Sequence, residues 1–355
     1  MKHGQILPQL TIKTNFLSSC LLALFTCLLV PQIVKADDDL TGQLQRPLNN
    51  PTAVPVRNYA DSWLRNGEQQ YASGFYEKSI TSGLKALNIY RSLGDLKAQG
   101  KTYDLLAGAY IQLGDLKNAE DFLRRRIGIA RDNQDFTTQI FALNNLATVL
   151  LQKGETQAAE QTIKDAWEVA QNVENLEGQG LSLSNLSLVA NRLGDYYRAI
   201  KLGERALFFR RQTNDAIGEA NTLNNLGDAY LVIGDYDNTI GTYGAAMRLA
   251  KINFDRVNQL RAIDGLVAAH SSVKRYDRAL ELLQQRFTIT KFLQDPKEEL
   301  KYLSGAAQLY ENMGKLNQAT DFYKQAIALA NKLQDSKQEA LLINNLDNLR
   351  KRSNH

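Results

Sequence analysis

Apolar and small residues recur at an offset of 40 residues along the chain from about Asn58 onward. One column holds Leu106, Leu146, Leu186, Leu226, Leu266 and Leu346. The next position is small: Gly67, Ala107, Ala147, Ser187, Gly227 and Ala307. Further along each unit come Ser79, Ala119, Ala159, Ala199, Thr239, Ala279 and Ala319, then Ala86, Ala166, Ala206, Ala246 and Ala326. Residues three or four apart share a helix face, and small residues at fixed points let helices pack closely. The pattern predicts a stack of similar helical units.

Two kinds of punctuation divide each unit. Glycine, which a left-handed helix end favours, stands at Gly74, Gly114, Gly154, Gly194, Gly234 and Gly314, with Lys274 at the missing step. Twenty-one residues after each comes a residue suited to start a helix: Asp95, Asp135, Asn175, Asp215, Asp255, Asp295 and Asp335. Each unit is therefore two helices. From Val56 onward the one proline is Pro296, directly after Asp295, where a helix tolerates it.

These columns, with Tyr110, Tyr230 and Tyr310 four residues before the glycine, resemble the tetratricopeptide repeat; the segment Leu223 to Tyr236 is the closest match. The unit here is six residues longer than the usual 34, which is similar to the long-helix variety of the family. The resemblance implies an all-α, right-handed superhelix with seven repeats over 58–334 and a capping helix and tail over 335–355. Three residues depart from the pattern: Arg126 and Arg286 replace the late alanine, and His270 replaces the tyrosine. An arginine in a column of small buried residues must snorkel outward or reach a carboxylate.

The N-terminal segment is built differently. No acid precedes Asp37, Lys2 and Lys13 make a basic start, and an apolar run spans Leu21 to Val30. Val34 and Ala36 fit the positions that a signal peptidase reads. Residues 1–36 are read as an export signal, or as an uncleaved anchor, since the stretch from Thr14 to Val34 is uncharged and long enough to span a bilayer. The expected location is outside the cytoplasm, periplasmic or otherwise, with membrane contact only if the segment stays uncleaved. Residues 37–57, with Pro47, Pro51 and Pro55 among polar residues, read as a flexible tether.

Charge and composition narrow the function. The formal charge of +4 falls to +1 once the signal, with its three lysines and no acid, is removed, so no nucleic-acid partner is expected. Cys20 and Cys27 leave with the signal, and His270 is the one histidine inside the folded body. It is read as a packed, hydrogen-bonded core residue. Gly94 to Thr102 has five residues between its glycines where a phosphate loop needs four, and Asp235 to Asn238 lacks the glycine and glutamate of a calcium loop. The arginine runs Arg124 to Arg126 and Arg210 to Arg211 read as solvated faces. No catalytic residue, no enzyme and no cofactor is expected.

The remaining constellation is a ladder of amides on the first helix of successive units: Asn144 and Asn145, Asn185, Asn224 and Asn225, then Asn344 and Asn345. In the family this helix lines the concave surface. An amide both donates and accepts, so the ladder, with Gln112, Gln152 and Arg192 on neighbouring turns, could hold a peptide backbone. The competing reading is that these amides bond to neighbouring helices or water. The leading expectation is a non-catalytic interaction scaffold or assembly factor binding a protein or peptide partner. The alternative is a metal-carrying assembly factor using Asp37, Asp38 and Asp39 as hard oxygen ligands. It is similar to exported relatives that assist photosystem II assembly and manganese delivery.

Overall fold

The computed structural model describes residues 53–353, which form fifteen helices and no strand. They run α1 (Ala53–Ala72), α2 (Tyr76–Ser92), α3 (Leu96–Gln112), α4 (Leu116–Asp132), α5 (Phe136–Lys153), α6 (Thr156–Asn172), α7 (Leu176–Arg192) and α8 (Tyr196–Gln212). The series continues with α9 (Ala216–Val232), α10 (Tyr236–Ile252), α11 (Arg256–Ser272), α12 (Tyr276–Leu293), α13 (Pro296–Asn312), α14 (Leu316–Lys332) and α15 (Ser336–Ser353). Each helix packs on the next, giving seven antiparallel pairs followed by α15. The expected signal segment, Asp37 to Asp39 and most of the expected tether lie outside the described residues. The tether boundary needs a correction: residues 53–57 belong to α1, with Pro55 in the first turn, where no intrahelical N–H bond is lost.

The punctuation acts as capping chemistry predicts. Asp95, Asp135, Asn175, Asp215 and Asp255 each accept the backbone N–H three residues on. Glycines at the first stop have φ between +74° and +84°, and Lys274 holds the same conformation at +59°. The second stop of each unit is also left-handed, at Gly94 and then at Gln134, Glu174, Asn214, Phe254, Gln294 and Gln334. Six of these seven carry a β-carbon, so composition gave no signal for them. Bonds back into the helix close each end, as from Asp135 N–H to the Ala130 carbonyl (2.8 Å).

The small columns are the inter-helix contacts. Ala119, Ala159, Ala199, Ala279 and Ala319 are fully buried, as are the later Ala86, Ala166, Ala206, Ala246 and Ala326. Any larger side chain there forces the helices apart, at about 1–3 kcal/mol. The two arginines that break the late column are accommodated by carboxylates. Arg126 reaches Asp104 at 2.9 Å and Thr138 at 3.3 Å. Arg286 is buried, bonded to Asp264 on α11, Glu298 on α13 (3.0 Å) and Thr290. At the C-terminal end Leu342, Leu346 and Leu349 of α15 pack with Leu300, Leu303 and Tyr323 and cover the last pair.

Candidate peptide-binding surface

First helices touch across pairs, α1 with α3, α5 with α7, α7 with α9, α9 with α11 and α11 with α13. First helices thus line one side of the array side by side, and each leaves an outward stripe there. On α5 that stripe is Thr137, Phe141, Asn145, Thr148 and Gln152, spaced as one helix face. The same register on α7 is Glu177, Leu181, Asn185, Leu188 and Arg192, of which Leu181 is buried, so the middle of this surface is mostly amide, hydroxyl and half-buried apolar side chains.

The asparagine ladder divides into two sets. Asn144 (1% exposed) donates to the Ile140 carbonyl and to Ser182 Oγ and accepts from Asn185 Nδ2 at 2.8 Å. Asn224 (0%) donates to Asn258, and Asn225 (2%) donates to the Ser184 carbonyl and accepts from Arg261. All three amides are buried and bonded across units, Asn224 through its Nδ2 alone, so none of them presents its side chain at the surface where the ladder reading placed it. Asn144 and Asn224 stand one residue before the stripe register, whereas Asn225 shares the register of Asn145 and Asn185 and is covered there by Arg261. Asn145 is half-buried and Gln152 exposed, and neither carries an intramolecular side-chain hydrogen bond among the described residues. Asn185 donates through its Nδ2 to Asn144, and its side-chain carbonyl oxygen accepts no hydrogen bond among the described residues. Arg192 donates to the Leu151 carbonyl at the end of α5 (3.1 Å), and Gln112 bonds to Tyr71. On α15 Asn344 is exposed and Asn345 half-buried.

A polar network beside this stripe was not foreseen. Arg261 on α11 donates to Asn225 (2.8 Å) and to Asp228 on α9, and Asp228 also accepts the Tyr243 hydroxyl from α10. The Tyr243 ring is 1% exposed and passes over Gly227 and Gly265; a β-carbon on Gly227 would lie 2.7 Å from the ring, and one on Gly265 closer still. Burial and the Asp228 charge raise the Tyr243 hydroxyl far above the usual phenol range, so it remains a donor. Glycine at both positions was the available signal: each opens space that only a ring from the adjoining helix fills.

His270 is buried and its Nδ1 has no partner, so the hydrogen bond expected there is missing at that atom. Burial, then Arg278 and Arg275, lower its pKa below the ordinary histidine value. The arginine runs are paired rather than free: Arg124 with Glu120, Arg125 with Asp121, Arg210 with Asp215 and Arg211 with Glu219. Arg210 is also largely buried, which corrects the expectation of a solvated face there, while Arg126 takes the carboxylate alternative expected of it by pairing with Asp104. Gly100 to Thr102 lie within α3, and Asp235 caps α10. Among the described residues no group of three or more histidine, cysteine or acidic side chains could hold a metal, and no helix is long and apolar enough to cross a membrane.

Comparison with known proteins fits this geometry. Models of the tetratricopeptide repeat match residues 58–132, 138–212 and 300–333. No curated protein is significantly similar in sequence. Solved structures of similar fold include the apo form of RapI, at 12% identity and TM-score 0.63, covering 78% of this chain and 99% of that one. A Rap protein complexed with competence and sporulation factor gives 14%, 0.55, 85% and 99%. A tetratricopeptide repeat protein from Parabacteroides merdae gives 15%, 0.54, 80% and 98%. With matches over a little more than half its length and the helix-pair array they require, the chain belongs to the tetratricopeptide repeat family.

Proposed function

We propose that this repeat scaffold is non-catalytic and holds an extended segment of a protein partner against the outward stripe of α5 and α7. The observation that carries the reading is the division of the ladder: Asn144, Asn224 and Asn225 are buried and bonded across units, whereas Asn145 is half-buried, Gln152 is exposed, and neither side chain is bonded among the described residues. Successive helices pack about 8–10 Å apart, and an extended chain rises about 3.3 Å per residue, so one amide meets the ligand about every third residue. Phe141 and Leu188 beside them offer apolar contact. The Rap protein structure with competence and sporulation factor supplies a precedent for a ligand on a similar fold.

Photo-crosslinking tests this directly. A photoreactive residue at Gln152 should capture a partner that the same probe at Lys164, exposed on α6, does not. Equal capture at both positions, or capture at Lys164 alone, would contradict the assignment.

A further inference from the structure

Ile252 ends α10, Phe254 follows in the turn, and Phe292 stands near the end of α12; they are 73%, 70% and 67% exposed. Ile252 and Phe292 are 40 residues apart and so occupy equivalent places in successive pairs. All three project from the edge where second helices end and first helices begin. Elsewhere the column of Ile252 is polar, with Asp132, Asn172, Gln212 and Lys332. Other units place glycine, glutamine, glutamate or asparagine in the column of Phe254.

Phe254 makes the demand on this edge clearest. Its φ is +57°, a conformation that disfavours a bulky side chain, and its exposed ring returns little packing. Local stability therefore does not account for phenylalanine here, and such strain points to a role outside the fold.

The charges around the tips are ordered by accessibility. Lys251 and Arg256 flank Ile252 and Phe254; Lys251 is exposed, and Arg256, half-buried, bonds among the described residues to the Gln259 amide oxygen. The neighbouring carboxylates are engaged. Asp255 is 3% exposed and caps α11, Glu298 is held by Arg286 and Lys301, and Glu299 faces Lys291. The surface thus offers apolar tips beside two cations, Lys251 and Arg256, that pair with no acid among the described residues.

We propose that this edge docks on an anionic lipid surface, with Ile252, Phe254 and Phe292 entering the headgroup boundary and Lys251 and Arg256 meeting lipid phosphates. Three protruding tips fall short of the roughly 800 Å² per partner that a standard protein interface buries. Insertion into lipid needs no complementary shape. The proposal is independent of the outward stripe, which lies on other helices.

The test uses the full chain and vesicles of phosphatidylcholine and phosphatidylglycerol in equal parts. In a Phe254→Trp chain, emission beyond the background of Trp63 and Trp167 should shift to the blue and be quenched by brominated acyl chains. Ile252→Gln, Phe254→Asn and Phe292→Gln together should lower partitioning by about tenfold or more. Asparagine is at ease at a left-handed position, so circular dichroism should show this variant folded. Contributions from the N-terminal segment are common to both arms. Absence of extra quenching at residue 254, or unchanged partitioning of the folded triple variant, would overturn the proposal. Crosslinking of residue 254 to a protein without lipid quenching would overturn it too.

Discussion

Arg286 on α12 and Asp264 on α11 are a matched replacement: they stand where the third, fourth, fifth and seventh units have alanine and asparagine or serine, and the guanidinium grips the carboxylate through Nε and through Nη2 (3.1 Å). Arg126 and Asp104 repeat the exchange 160 residues earlier in the chain. The arginine fills a slot that alanine leaves narrow elsewhere, and the acid supplies the charge that makes its burial tolerable. Arg286→Ala alone should cost about 3 kcal/mol, from a cavity and unpaired acids. Asp264→Asn added to it recreates the Asn224 and Ala246 pairing of the preceding unit and should recover part of that loss. A double-mutant cycle by chemical denaturation reads the coupling; strict additivity would show that the two residues act separately.

Asn225→Ala and Asn145→Ala should differ in kind. The first removes a buried amide that joins Arg261 to the Ser184 carbonyl and should lower stability by about 1–3 kcal/mol. The second, at a half-buried and unbonded position, should leave the melting temperature nearly unchanged. Equal losses would mean that both amides stitch the units.

The left-handed stops predict a stabilising change. Gln134 has φ +55°, which costs a residue with a β-carbon about 1 kcal/mol. Gln134→Gly removes that strain, and the gain is partly offset by the freer unfolded chain. A modest rise in melting temperature is expected; a fall would show that the glutamine side chain contributes more than its backbone costs.

His270 predicts a pH dependence. Its folded pKa lies below the unfolded value of about 6.5, so the unfolded chain binds more protons between the two. Its contribution to stability is complete above about pH 6.5 and is lost as pH falls through the folded value. His270→Leu, which copies Leu150 in the same column, should flatten that part of the profile. If parent and variant lose stability in parallel below pH 6.5, other groups carry the effect.

Removal of Ser336 to His355 should uncover Leu300, Leu303 and Tyr323, against which Leu342 and Leu346 pack. A terminal unit cannot bury its face alone. Hydrogen exchange around Leu309 to Ala330 should quicken and the chain should aggregate; unchanged protection would show that α15 is dispensable.

The repeat frame was readable because its signals are local: aspartate before a helix, glycine after it, and small residues wherever two helices cross. Arg126 was readable too, since a charge among alanines must find a partner. The buried half of the ladder was not. Asn144 and Asn145 are adjacent in sequence and equal in composition, and their roles differ because 100° of helical rotation turns one toward α7 and the other toward the outward stripe. Tyr243 was hidden for a similar reason. Its partners Asp228, Gly227 and Gly265 lie on two other helices, and no local pattern joins them.

The most direct test of the binding role is calorimetry of the partner segment captured at Gln152, comparing the parent chain with the double variant Asn145→Ala, Gln152→Ala. Two hydrogen bonds at about 1 kcal/mol each predict affinity weaker by roughly 10- to 30-fold, with the melting temperature unchanged. Unchanged affinity in the folded double variant would contradict the account.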